Sequence, residues 1–197
     1  MTGGTPVPHS MEIDVFYPQN QAEWRAWLEQ NHQSQQAVWV VFYKKSSAIP
    51  SITWSEAVDV ALCFGWIDSK KVAVDSKKSH QFFCPRKAKS TWSKINKVKV
   101  EQLIEAGLMT ETGFASIEVA KRNGSWTMLD EVEALVIPPD LEQALAGHEG
   151  LMAQFLGLSK SAKKELLARL LFAKRPETRQ KRIDEMMVLL TQKYTKE

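Results

Sequence analysis

The stretch "TWSEAVDVALCFGWIDSKKVAV", Thr53 to Val74, changes its hydrophobic period at a single glycine. Before Gly65, Ala57, Val60, Ala61 and Phe64 recur at helical spacing, and Thr53 with Glu56 makes the pattern that caps a helix start. After Gly65 the period is two: Trp66, Asp68, Lys70, Val72 and Val74 point one way, and Ile67, Ser69, Lys71 and Ala73 the other. The returning arm alternates His80, Phe82 and Cys84 against Gln81 and Phe83, with "DSKKS" as the turn. Pro85 ends the ladder because it brings no amide hydrogen. A helix running directly into a hairpin needs a sheet for that hairpin to join, and "AVWVVFYKK" from Ala37, a continuous β-branched and aromatic run, predicts a further strand buried on both faces or nearly so. The fold class is therefore α+β: a small, mainly antiparallel sheet packed against helices, followed by a C-terminal helical hairpin.

The remaining elements follow from the same patterns. Residues 1–11 read as a disordered N-terminal segment, and "NQAEWRAWLEQNH" places Trp24, Trp27 and Leu28 on one side of a short amphipathic helix. Beyond the hairpin, one helix from about Thr91 turns Val100, Leu103, Ile104 and Leu108 inward. A second is capped by Thr110 and stopped at Asn123-Gly124, and a third runs from Asp140 to about Ala146. "KSAKKELLARLLFAK" buries Leu166, Leu167, Leu170 and Leu171, and Pro176 opens a helix with Ile183, Met186, Met187 and Leu190 inward. The domain reading is an α+β domain over 12–137 containing the 66–85 hairpin, then a helical subdomain over 138–197, with the boundary at Pro138-Pro139.

Composition narrows the functional classes. No stretch approaches the roughly 20 apolar residues of a membrane span. The opening "MTGGTPVPHS" lacks the basic start and apolar middle of a signal peptide, so the expected location is the cytoplasm. Cys63 and Cys84 sit in apolar surroundings and read as packing positions of a reduced protein. The net charge of +3 conceals a segregation: ten Lys or Arg against Asp75 between residues 69 and 100, and nine against Glu165 and Glu177 between 160 and 182. Two such basic zones favour an anionic partner, although lysines on a hairpin and two helices also serve solubility alone.

Standard catalytic and cofactor signatures do not stand out. There is no CxxC, HExxH, GxxxxGK, GxGxxG or GxSxG, and four scattered histidines give no metal site, so neither metal nor cofactor is expected. Ser161 and Lys164 satisfy an SxxK pattern, but a helix cap explains that serine better. The remaining constellation surrounds the hairpin. A turn centred near Lys77 sets Asp68 opposite Arg86, with Trp66 on the Asp68 face and Ser90, Trp92, Ser93 and Asn96 where strand gives way to helix. Aromatic walls, a charge pair and a helix end suit a small polar or anionic ligand. The same residues would also serve as core tryptophans, a hairpin pin and a helix cap.

Five blocks carry a resemblance. FGWID (64–68), PRKAKSTWSKIN (85–96), AGLMTETG (106–113), NGSW (123–126) and AKRPETRQKRI (173–183) together resemble the YdeI/OmpD-associated family, also called bacteriocin-protection proteins. The resemblance implies a small bacterial protein associated with envelope stress or resistance to antimicrobial peptides, and it carries no activity over residue by residue. The blocks coincide with Trp66, Asp68, Arg86, Ser90, Trp92, Ser93 and Asn96. Arg179, in the last block, either reaches that site or pairs with Glu177 or Glu185.

Three readings follow. The first is a cytoplasmic ligand-binding or stress-response protein using the Trp66, Asp68, Arg86 and Trp92 region. The second is a nucleic-acid-binding protein, its lysines tracking phosphates while His80, Phe82, Phe83 and Trp92 stack bases. The third is an enzyme with Asp68 as general base.

Overall fold

The computed structural model describes residues 13–194; the segment 1–11, read above as disordered, lies outside the described residues. The sheet forms where the β-branched and alternating runs fall. β1 (Val15–Phe16), β2 (Val38–Tyr43), β3 (Trp66–Ala73) and β4 (Lys78–Pro85) lie in the spatial order β1, β2, β4, β3, with β1 parallel to β2 and the other pairs antiparallel. Helices supply the other layer, so the α+β expectation holds. The packing resolves into two compact units, one of residues up to Ser90 together with Ile95–Ser125, the other of Thr91–Lys94 together with residues from Trp126 onward.

In the first unit α1 (Gln21–Asn31) starts where the Asn20 side chain accepts from the Glu23 amide, and α2 (Trp54–Cys63) starts at the Thr53–Glu56 capping box. Their apolar stripes bury Trp24, Leu28, Ala57 and Ala61 against one face of the sheet. Trp24 lies edge-on to Phe83 at 5.5 Å and Trp27 edge-on to Trp66 at 5.9 Å. The two buried indoles of this cluster have partners for their N–H groups, Trp24 Nε1 donating to the Ala57 carbonyl at 3.0 Å and Trp66 Nε1 to the His32 carbonyl at 3.2 Å.

α3 (Lys94–Glu105) buries Val100 and Leu103, but Ile104 and Leu108, expected inward, are exposed. The helix ends at Glu105 and its inward stripe is correspondingly short. α4 (Glu111–Asn123) has the expected Thr110 cap and ends on Gly124 in the left-handed region. Its first turn is pressed against the end of α2. A Cβ at Gly113 would lie 2.3 Å from the Cys63 carbonyl oxygen, so only glycine permits the approach.

The second unit is helical throughout its described length: α5 (Asp130–Glu133), α6 (Pro139–Ala146), α7 (Leu151–Gly157), α8 (Lys160–Leu171) and α9 (Pro176–Tyr194). Pro138, where the sequence suggests a boundary, caps α6 inside this unit. α5 and α7 have no counterpart in the sequence reading, since one turn or two is too short to show a period. Leu141, Phe155, Leu167, Leu170, Ile183 and Leu190 form its dry centre. Arg179 joins three of its helices: Nη2 meets Asp140 Oδ1 at 2.8 Å, Nε meets Oδ2, and Nη1 reaches the Leu170 carbonyl at 3.0 Å.

Two outcomes test this packing. Gly113→Ala should cost about 2 to 3 kcal/mol in urea unfolding, because the new methyl group meets backbone rather than a yielding side chain. The Arg179 hydrogen bonds hold Asp140 below the ordinary carboxylate value, so the pair's contribution is present above about pH 4 and fades as the pH drops through the lower folded value. Asp140→Asn should therefore lower stability at neutral pH by about 1 kcal/mol or less, given its partial exposure, and that difference should shrink in urea titrations run below about pH 4.

Candidate functional site

The hairpin that carries the candidate residues is set by its turn. Asp75 Oδ1 accepts from the amides of Lys77 at 2.7 Å and Lys78 at 2.9 Å, which draws the reversal toward Ser76. Strand pairing therefore runs Trp66 to Pro85, Ile67 to Cys84 and Asp68 to Phe83, and the expected alignment of Asp68 opposite Arg86 is corrected by this register. Arg86 lies beyond the ladder's last pair and donates its amide to the Gly65 carbonyl at 2.8 Å.

A bulge between Asp68 and Lys71 changes the facing as well. Directly paired residues share a face, so Trp66, Asp68 and Lys71 lie on the helix-covered side with Phe83 and Gln81. Lys70 instead stands over Trp39 and Phe82 on the opposite side, and Val72 pairs with His80 there. Strict alternation had placed Lys70 and Val72 with Asp68 and Lys71 away from it; the bulge reverses all three.

The Asp68 carboxylate has two donors on one oxygen, Trp54 Nε1 and Gln81 Nε2, each at 2.9 Å from Oδ2. Gln81 is buried and also donates to the Ser69 carbonyl at 3.0 Å, inside the bulge. Trp66 is fully buried in the aromatic cluster. Burial brings Arg86 down to about 10, against the pull of the Asp68 carboxylate and the Cys84 thiol. Asp68 and Arg86 thus influence each other electrostatically from staggered positions. Ser90 and Asn96 belong to this first unit, whereas Trp92, Ser93 and Arg179 belong to the second, where Trp92 packs at 4.9 Å from Trp126. Arg179 pairs with Asp140, a partner absent from the alternatives of the sequence reading.

Open space lies next to Asp68, on the other side of Gln81 and Trp54. A cleft of about 350 Å³ is lined by Phe42, Lys44, Lys45, Ile49, Trp54, Lys71 and Gln81, with Tyr43, Ser51, Ile52, Thr53 and Ser79. Two of its four hydroxyl groups are committed. Ser51 Oγ accepts from the Tyr43 amide, and Thr53 Oγ1 donates to Glu56 at 2.7 Å. The ammonium groups of Lys44, Lys45 and Lys71 have no ion-pair partner among the described residues. The sequence reading missed Trp54, Lys44, Lys45 and Lys71 as site residues. A tryptophan at the first position of a capped helix was the available signal.

Two other basic residues of this region are spoken for: Lys99, 15% exposed, bonds Asp59 and the Ser55 hydroxyl, and Lys78 lies 3.9 Å from Asp75. Among the described residues no group of three or more His, Cys, Asp or Glu could hold a metal ion, and no helix is long and apolar enough to cross a membrane.

Residues 16–116, just over half of the chain, match the family described as a domain of unknown function (DUF8412), and this α+β chain belongs to that family. Residues 134–193 match the family described as Bacteriocin-protection, YdeI or OmpD-Associated, which confirms the resemblance read from the sequence. The block AKRPETRQKRI lies in this second match, FGWID, PRKAKSTWSKIN and AGLMTETG lie in the first, and NGSW falls between them. No curated protein matches the chain, and no solved structure does.

The geometry makes Asp68 the acceptor that holds Trp54 against the hairpin. Asp68→Asn should lower the unfolding free energy by about 1.5 to 3 kcal/mol, since two donors lose a charged acceptor and one of them is buried. Urea titration of the variant followed by far-UV circular dichroism checks this.

Proposed function

We propose that this bacteriocin-protection-associated protein is a binding protein for a small organic anion, taken up in the cleft beside Asp68. The observation that carries the reading is the set of three lysines around one concavity, Lys44, Lys45 and Lys71, none neutralised by a described carboxylate. Like charges gathered around a low-dielectric wall raise the local potential, and an entering anion relieves their mutual repulsion. The rest of the wall mixes apolar and aromatic surface with Ser51, Thr53, Ser79 and Gln81. Phe42, Ile49 and the exposed Trp54 indole offer contact to a flat body, so the ligand combines a charged group with an apolar or ring-bearing portion. The volume suits a molecule the size of a sugar phosphate or a nucleoside monophosphate.

Within this reading Asp68, which does not line the cleft, and Gln81, whose amide nitrogen is bonded to Asp68 and the Ser69 carbonyl, position the wall. Trp66 and Arg86 form the packed support behind. The cytoplasm is the proposed setting, in keeping with two cysteines that are both free thiols. Binding or sensing an anionic metabolite there is the role we assign in stress or antimicrobial protection.

Thermal unfolding in the presence of inorganic phosphate, nucleoside monophosphates and sugar phosphates tests the proposal. At least one compound should raise the melting temperature, since a ligand at about 100 times its Kd adds about 2.7 kcal/mol. Lys71→Glu, an exposed substitution with little effect on folding, should abolish that rise. No rise across the panel, or an equal rise in Lys71→Glu, overturns the reading.

A further inference from the structure

The sheet face opposite the cleft has its own chemistry. Trp39 on β2 and Phe82 on β4 are direct cross-strand partners, their rings 5.1 Å apart and inclined by 78°. Lys70, lifted to this side by the bulge, places its ammonium 5.1 Å from the Trp39 centroid and 5.4 Å from that of Phe82. His80 lies next to Trp39 at 6.4 Å, and burial together with Lys78 keeps its imidazole below the ordinary value, hence largely neutral at pH 7. The rings are half-buried and flanked by exposed Val15 and Val72 on the two edge strands. Helix α1 packs on the other face, through Trp24 and Trp27.

We propose that this face, built on Trp39, Phe82 and Lys70, binds single-stranded nucleic acid. Aromatic side chains standing on a sheet, with a lysine within reach of both, match what a flexible polyanion with π-faced bases requires. The inclination of the rings selects the strand type. Two bases stacked in a duplex are parallel, whereas rings inclined by 78° accept successive bases only from a backbone free to turn between them. One base lies against the Trp39 indole and the next against Phe82, and Lys70 moves from the rings to the phosphate between the two bases. Charge is complementary, since Lys70 stands over both rings and Lys78 lies on the same side of β4 as His80 and Phe82. The proposal is independent of the anion cleft, which uses the other face.

Fluorescence anisotropy with labelled oligothymidylate and oligouridylate of about a dozen nucleotides, and with a duplex of equal length, tests it. The parent should hold single strands more tightly than duplex, and its affinity should fall steeply as salt rises to roughly 200 mM. Phe82→Leu and Trp39→Leu should each weaken binding by roughly 5- to 150-fold, the loss of one stacked base. Lys70→Gln, on an exposed side chain, should weaken binding and reduce the salt slope by about one phosphate. The comparison of the two oligomers decides between RNA and DNA. If circular dichroism shows that either ring variant is unfolded, Lys70→Gln decides. No retention by the parent, equal affinity for duplex, or unchanged binding in the folded variants overturns the proposal.

Discussion

The junction at the end of α2 is the constraint on which the first unit depends. Gly65, at φ 69°, turns the chain from helix into β3, a conformation that L side chains rarely adopt. The Cys63 carbonyl, left without a helical partner, accepts from the Thr110 amide at 3.1 Å and from the Thr110 hydroxyl at 2.6 Å. Thr110 is at the same time the cap of α4, so one residue closes the end of one helix and opens the next. Gly113 then lets α4 approach until backbone touches backbone. With the junction fixed, Trp66 enters the aromatic cluster and the direction of the hairpin is determined. Everything placed on that hairpin, from Asp68 to Lys71, inherits its position from this clamp.

Features governed by local chemistry could be read from the sequence. The Thr53–Glu56 capping box, the Thr110 cap, the stop at Gly124 and the change of period at Gly65 each rest on a few neighbouring residues, and each is where the pattern puts it. Features governed by competition among neighbours could not. The turn "DSKKS" offers several centres, and the Asp75 side chain settles the choice through two hydrogen bonds that no periodicity encodes. A displacement of the turn by about one residue, followed by a bulge, was enough to move Asp68 from Arg86 to Phe83. The cleft was hidden for a different reason. Lys44, Lys45, Trp54 and Lys71 come from three separate stretches and are gathered by pairing across β2, β4 and β3, a long-range consequence of the register.

Charge shows the same separation between what composition says and what geometry does. The two basic zones suggested broad cationic surfaces, yet several of their members have local duties. Lys99 bonds Asp59, Lys164 meets Glu133, Arg169 meets Glu185, and Arg179 spans Asp140 and the Leu170 carbonyl. Such pairs contribute modestly to stability and leave little field for a ligand. What remains is concentrated. Lys44, Lys45 and Lys71 face one cleft, while Lys70 faces two aromatic rings, so the net charge of +3 understates the local potential at each place.

The bulge at Ser69 and Lys70 is what allows one strand to serve both faces. In an unbroken ladder, residues 68, 70 and 72 share a side, and Lys70 would lie beside Asp68, where its ammonium and the carboxylate would neutralise each other. The additional residue lets the alternation start again, so that Asp68 keeps Trp54 and Gln81 as its donors while Lys71 is directed to the cleft and Lys70 to Trp39 and Phe82. Gln81 holds the irregularity in place, since its amide bonds the Asp68 carboxylate and the Ser69 carbonyl at once. A buried amide of this kind is costly to leave unpaired, so the energetics that satisfy Gln81 also fix the bulge. Two adjacent lysines with identical chemistry are thereby assigned to different surfaces by a single hydrogen-bonded side chain behind them.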